Sequence, residues 1–331
     1  MSHRRASLVC LLALGVSGCS TATSTLPVAS SSGARSIPAQ TAHTTQTAHT
    51  TQTAPLTSAP GRASVASGAV TKVLVFIEEN HSLSEMKSGM PYTLSLARRF
   101  GYASSYTAIR HPSLPNYIAI AGGQTYGITN DAKPSANPVA GTSVFGQAVA
   151  AGQTAAVYAD GMPENCATSD GGSGASGSSY AVKHNPWAYF INERSVCQRY
   201  DVPVDQLAGA IAHGTLPNVG MVIPNLCNDA HDCPLGAADT WFKGWMTKVF
   251  EGPDWKSGHL AVVLTADEDD TSGANTVLTV VIHPSQESNV VTSPLTHYSL
   301  TRLYEEVTGT PYLFNAASAR SMAAAFGLPL Q

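Results

Sequence analysis

The residue best placed to do chemistry in this chain is a serine held between prolines. Ser113 lies in Arg110-His-Pro-Ser-Leu-Pro-Asn-Tyr117 and is followed by the apolar run Tyr117-Ile-Ala-Ile-Ala121. Pro112 discourages helix just before the serine, while Pro115 is tolerated in a first helical turn. The pattern predicts a helix with Ser113 as its N-cap. A hydroxyl there sits beside outward-pointing amides that favour an anion, which suits a phosphoryl or acyl group under attack. An isolated Ser-x-Pro is more often an ordinary helix cap, so the chemistry depends on what the rest of the chain brings to it.

Four apolar runs end in polar or acidic clusters. Lys72-Val-Leu-Val-Phe-Ile77 leads into Glu78-Glu79-Asn80, and Thr154-Ala-Ala-Val-Tyr-Ala159 into Asp160. Val219-Gly-Met-Val-Ile223 leads into Pro224-Asn225, and Leu260-Ala-Val-Val-Leu-Thr265 into Ala266-Asp-Glu-Asp-Asp270. Such continuous runs are expected of strands covered on both faces. A further strand is predicted over 276–282, and helix-like stretches fall at 92–100, 143–151, 237–250 and 300–307. The alternation predicts an α/β domain, doubly wound, with a mostly parallel central sheet and helices on both faces. Ligands of such sheets bind at the carboxyl ends of the strands. Glu79, Asn80, Asp267 and Glu268 would form a hard-oxygen cage there for a divalent cation, with Ser113 Oγ as an extra ligand deprotonated by the metal.

Two histidine-bearing segments complete the set. Pro224-Asn-Leu-Cys-Asn-Asp-Ala-His-Asp-Cys233 places Asn225, Asn228, Asp229 and His231 in one short loop, and Thr296-His297-Tyr298-Ser299 precedes a helix-like stretch. Either histidine could bind metal, donate to a phosphate oxygen or protonate a leaving group. Lys183 and His184, in Lys183-His-Asn-Pro-Trp187, add a cation and a ring suited to gripping an anion. Residues 170–179 are a Gly/Ser-rich loop that lacks the Gly-Lys-Ser/Thr ending of a phosphate-cradling loop.

The N-terminus predicts export. Arg4 and Arg5 precede Leu8-Val-Cys-Leu-Leu-Ala-Leu14, too short to span a bilayer and suited to a signal-peptide core. Val16-Ser-Gly-Cys19 resembles a lipobox, so residues 1–18 are expected to be a lipoprotein signal peptide and Cys19 the acylated anchor on the outer face of a membrane; the alternative is simple secretion. Residues 19–69 are rich in Thr, Ser, Ala and Gln, with a tandem Thr-Ala-His-Thr-Thr-Gln repeat, and predict a tether rather than a packed core. The catalytic domain is expected over 70–331. Cys166, Cys197, Cys227 and Cys233 remain for disulfides; three pairings are possible, and Cys166–Cys197 with Cys227–Cys233 is the one expected. A formal charge of −4 offers no basic footprint for nucleic acid. A monomer is expected.

Taken in order, the segments Val75-Phe-Ile-Glu-Glu-Asn-His81, His111-Pro-Ser-Leu-Pro-Asn-Tyr117, Lys183-His-Asn-Pro-Trp187, Asn228-Asp-Ala-His-Asp232, Leu264-Thr-Ala-Asp-Glu-Asp-Asp270 and Thr296-His-Tyr-Ser299 resemble the motifs of the bacterial acid phosphatase and phospholipase C family. That family belongs to the alkaline phosphatase superfamily and includes secreted mycobacterial enzymes acting on phosphoinositides. The resemblance implies that Ser113 becomes phosphorylated, that Asn116 donates to phosphate oxygen, and that Glu79, Asn80, Asp267 and Glu268 bind metal. It places His231 and His297 among the active-site histidines. Two-metal relatives have Asp-His where this chain has Asp267-Glu268, and Asp where Asn225 stands, so one divalent cation is expected. Ala266 replaces an aromatic residue. The resemblance implies a phosphoric ester hydrolase, an acid phosphatase ahead of a phospholipase C. A non-catalytic binding lipoprotein would need a broken site, and an acyl hydrolase of the common α/β type would need a Gly-x-Ser-x-Gly elbow that is missing here.

Overall fold

The computed structural model describes residues 68–172 and 179–331, which belong to one compact unit. The predicted signal peptide, the Cys19 anchor, the tether up to residue 67 and the centre of the Gly/Ser loop lie outside the described residues. Each apolar run forms a strand close to its predicted limits. The strands are β1 (Lys72–Glu78), β2 (Gly101–Ala103), β3 (Tyr106–Thr107), β4 (Ala155–Ala159), β5 (Asp201–Pro203), β6 (Val219–Ile223), β7 (Leu260–Ala266), β8 (Thr279–Ile282), β9 (Asn289–Val291) and β10 (Leu295–Thr296). The helices are α1 (Leu83–Gly89), α2 (Pro91–Arg99), α3 (Ser113–Gly122), α4 (Val144–Ala150), α5 (Arg194–Tyr200), α6 (Asp205–His213), α7 (Leu235–Glu251), α8 (Pro253–Lys256), α9 (His297–Thr308) and α10 (Met322–Phe326).

Eight strands form one sheet in the order β5-β4-β6-β1-β7-β8-β2-β9. From β5 to β7 every neighbour is parallel, and β8 alone runs against β7 and β2. This is the predicted mostly parallel α/β architecture. β1, β6 and β7 are almost wholly buried, which explains their unbroken apolar sequences. On one face α3, α4 and α9 pack together; on the other α7 packs with α1, α2, α6 and α8. Phe76 of β1 meets Trp241 and Phe242 edge-on, fixing which side of that strand looks toward α7. No helix among the described residues is long and apolar enough to cross a membrane.

Candidate active site

Strand register gathers the acids. β1 pairs β7 with Glu78 opposite Ala266, so the next residues, Glu79 and Asp267, leave neighbouring strands side by side. β4 pairs β6 with Ala159 opposite Ile223, which brings Asp160 beside the loop that starts at Asn225. The pleat then sorts Glu78 from Glu79. Glu78 continues the Phe76 side toward α7, where burial and the charges of Asp229 and Asp239 raise its carboxyl pKa well above its ordinary range. Glu79 turns to the other side and meets α3.

Three residues of α3 form the contact surface, at spacing i, i+3 and i+4 on one helix face. Ser113 Oγ donates to Glu79 Oε2 at 3.0 Å, and Tyr117 Oη donates to Glu79 Oε1 at 2.6 Å. Asn116 accepts the Ile109 and Arg110 amides at 3.0 and 3.1 Å and donates to the Arg110 carbonyl at 2.7 Å and to Glu268 Oε2 at 3.0 Å. The predicted N-cap role of Ser113 is corrected: Pro112 is the cap, and Ser113 is the first helical residue. Its hydroxyl is turned into the site rather than back onto the helix amides. Asn116 likewise ties the Arg110 segment to Glu268, with both amide hydrogens engaged.

Behind Glu79 stands a buried histidine. His184 Nε2 is 3.1 Å from Glu79 Oε1, its Nδ1 is 3.2 Å from Asp229 Oδ2, and its ring stacks on Tyr117 at 5.2 Å between centroids. The pair contacts are close rather than well-aligned hydrogen bonds at Nε2 and Oδ2. Burial alone would raise Glu79 and lower His184, but the mutual attraction wins: Glu79 is held below the carboxylate range and His184 is lifted to about 9. Burial raises Asp229, with His184 opposing. The Asp229 loop is itself anchored. Asn225 Oδ1 accepts the Cys227 and Asn228 amides at 3.0 Å, and Asn225 and Asn228 both donate to Asp160 Oδ2, at 2.8 and 2.7 Å. The Cys227–Cys233 disulfide closes it with Cα atoms 4.7 Å apart, and Cys166–Cys197 forms as expected with Cα atoms 5.5 Å apart.

On the other flank, Asp267 Oδ1 accepts the Asn80 and Glu268 amides at 3.2 and 2.7 Å, and Asn80 itself adopts the left-handed conformation with φ 54°. Asp267 Oδ2 is buried with no partner. Burial, then Glu79 and Glu268, raise the pKa of this carboxyl well above its usual range. Glu268 is pushed to about 7 by burial, with His111 opposing and Glu79 adding. His111 bridges Glu268 and Asp269 at 3.2 and 3.1 Å.

The remaining predicted residues divide. Lys183 reaches Asp131 at 3.4 Å; burial would lower its pKa, but Glu79, Asp131 and Asp267 raise it. His231 is half-exposed beside His184, ring centroids 6.0 Å apart, with Nδ1 2.7 Å from Asp232. His297 lies fully buried behind Asp267. Its Nε2 must donate to the Asp267 carbonyl at 2.6 Å, so Nδ1 accepts from Tyr106 Oη at 3.0 Å. Asp229 was named in the sequence only as a member of the Asn225–Cys233 loop, and Tyr117, His111 and Asp131 were given no functional role there. Tyr117 had a usable signal, four residues after Ser113 on the same helix face; Asp131 had none.

The donor set fits a hard divalent cation. Asp267 Oδ2 is an orphaned buried oxygen facing the charges of Glu79 and Glu268, and oxygen ligands of this kind suit such ions. Among the described residues, three His, Cys, Asp or Glu ligand atoms come within 4.8 Å of one another only at Cys166, Cys197 and Asp201, whose sulfurs are joined in the disulfide. The Glu79, Asp267 and Glu268 set is more open than that.

A mostly parallel sheet thus gathers a serine, carboxylates and a lysine at its carboxyl edge, an arrangement suited to chemistry on a charged ester. The model described as the Phosphoesterase family matches residues 75–308, and the chain belongs to this family. It is 30% identical over 254 residues to the phosphatidylinositol-3-phosphatase of Mycobacterium tuberculosis, covering 76% of this chain and 81% of that one. It is 29% identical over 181 residues to the phosphate-repressible acid phosphatase of Penicillium chrysogenum, covering 53% of this chain but 43% of that protein. In fold it is similar to a protein of the alkaline phosphatase superfamily from Vibrio parahaemolyticus, with a TM-score of 0.52 at 8% identity over 77% of this chain and 71% of that chain. The chain is a hydrolase of phosphoric esters.

Proposed function

We propose that this protein is an exported, metal-dependent phosphomonoesterase of the acid phosphatase type that works through a phosphoserine at Ser113. The observation that carries this reading is the Ser113 Oγ to Glu79 Oε2 bond of 3.0 Å at the first turn of α3. Glu79, kept anionic by His184 and Tyr117, orients the serine hydroxyl; Oγ bonds to phosphorus as the ester P–O bond breaks, and the serine proton passes to solvent. Lys183 neutralises charge on the phosphoryl oxygens. His231, at the edge of the site, is placed to protonate the leaving alcohol, and His297 holds the backbone of Asp267 in position. Water then hydrolyses the phosphoserine to free Ser113 and inorganic phosphate. Glu79, Asn80, Asp267, Glu268 and Ser113 Oγ would hold one divalent cation, which would supply charge compensation for the phosphoryl oxygens and acidify the serine hydroxyl. The similarity to a phosphatidylinositol phosphatase and to acid phosphatases supports monoesters, including a phosphoinositide, ahead of phospholipase C-type diesters. Two disulfides support export.

The test is turnover of para-nitrophenyl phosphate and its bis-ester by the purified chain, with and without chelator, beside Ser113→Ala. We expect monoester turnover, lost on chelation and reduced by about a thousandfold or more in the variant. Preference for the bis-ester would move the assignment to a diesterase. Undiminished turnover by the variant would remove Ser113 as nucleophile.

A further inference from the structure

We propose that Asp131 is a resident anion in the phosphoryl seat, which substrate displaces and which weakens the hold on product phosphate. This inference rests on Ser113 being the reacting residue. A phosphoryl group on or approaching Ser113 Oγ needs donors for its non-bridging oxygens, and the donors beside Ser113 can be followed one by one. Both amide hydrogens of Asn116 are engaged, by the Arg110 carbonyl and Glu268. Pro115, in the first turn of α3, has no N–H. Two donors on this side of the site, the Leu114 amide, next along the chain from the nucleophile, and the Lys183 ammonium, are instead held by a carboxylate.

One carboxylate holds both. Asp131 Oδ1 accepts the Leu114 N–H at 3.0 Å, and Asp131 Oδ2 lies 3.4 Å from Lys183 Nζ. Its two oxygens thus bridge the backbone donor adjacent to the nucleophile and the lysine that neutralises phosphoryl charge in the proposed reaction. An amide hydrogen aligned on Asp131 is not available to phosphate, so the two anions compete. Asp131 is able to yield. Its side chain is 30% exposed, it comes from a loop rather than from the sheet or α3, and the Lys183 contact is long. Lys183 meanwhile stays beside the site through its attraction to Glu79 and Asp267 as well as Asp131. Asp131 therefore acts on affinity for the phosphate dianion, not on the bonds made and broken at Ser113.

The test measures inorganic phosphate binding to the full chain by calorimetry, and its inhibition of para-nitrophenyl phosphate turnover, in wild type, Asp131→Ala and Asp131→Asn. Asp131→Ala frees both donors and is expected to bind phosphate about tenfold more tightly, with a lower KM. Asp131→Asn keeps an acceptor for the Leu114 amide but loses the charge, and is expected to fall between the two. Thermal melts identify a variant that has lost the α3 end, in which case Asp131→Asn decides. If phosphate binds equally or more weakly in the folded variants, Asp131 merely positions Lys183 and the proposal fails. If wild type binds phosphate yet turns over no ester, the phosphatase reading fails while the binding ratios still judge Asp131.

Discussion

His297 illustrates how much a single residue is decided by its surroundings. Its motif implied an active-site role, yet both ring nitrogens are spent on Tyr106 and the Asp267 backbone, and burial lowers its pKa to about 4. A histidine in the unfolded chain titrates near ~6.5, so the folded state resists protonation. Its contribution is full above that pH and is lost as pH falls toward 4, an effect of about 3 kcal/mol. We expect the melting temperature of wild type to fall more between pH 7 and pH 4.5 than that of His297→Gln. Equal losses in the two proteins would assign the acid sensitivity elsewhere. The same reasoning separates Glu79 from Glu78: one is held anionic by His184, the other is buried beside Asp229 and Asp239 without a partner.

At the scale of elements, α3 determines where the nucleophile points. It starts at Ser113 because Pro112 cannot continue a helix backwards, and it stops at Gly123, which caps it with φ 70°. A Cβ at Gly123 would collide with the Leu313 carbonyl as well as strain the backbone. Gly123→Ala is expected to cost about 2 kcal/mol from the left-handed conformation alone, read as a lower melting temperature. A melt unchanged from wild type would mean that the backbone at Gly123 leaves the left-handed conformation without cost and that the prediction is wrong. The loop from Asn225 to Cys233 is the second positioning element. Its turn is set by Asn225, its base by Asp160 and its closure by the disulfide, and together these present Asp229 to His184.

Across the described residues, the N-terminal end of β1 and the chemistry fall at opposite ends of that strand. Just before β1 the Val70 amide donates to the Pro329 carbonyl at 2.6 Å, whereas Ser113 and the carboxylates gather beyond Glu78. Seven strand residues separate them by about 23 Å at roughly 3.3 Å per residue. If Cys19 carries the lipid, Cys19→Ser moves the protein from the membrane fraction to the soluble exported fraction with its phosphatase activity intact. Retention in the membrane fraction would place the anchor elsewhere.

Local rules made much of this legible in the sequence. Unbroken apolar runs marked β1, β4, β6 and β7, because strands buried on both faces tolerate little else, and polar or acidic residues after those runs marked the carboxyl edge. The proline-flanked serine and the short Cys227–Cys233 bridge were legible for similar local reasons, whereas Cys166–Cys197, 31 residues apart, was one of three open pairings. What tertiary structure alone decided was pairing across distance. Strand register set Glu79 beside Asp267; the pleat sent Glu78 to the α7 side; and a loop residue with no local signature, Asp131, came to rest on the amide after Ser113. Such contacts depend on how separate segments pack together, and neither periodicity nor motif spacing encodes that.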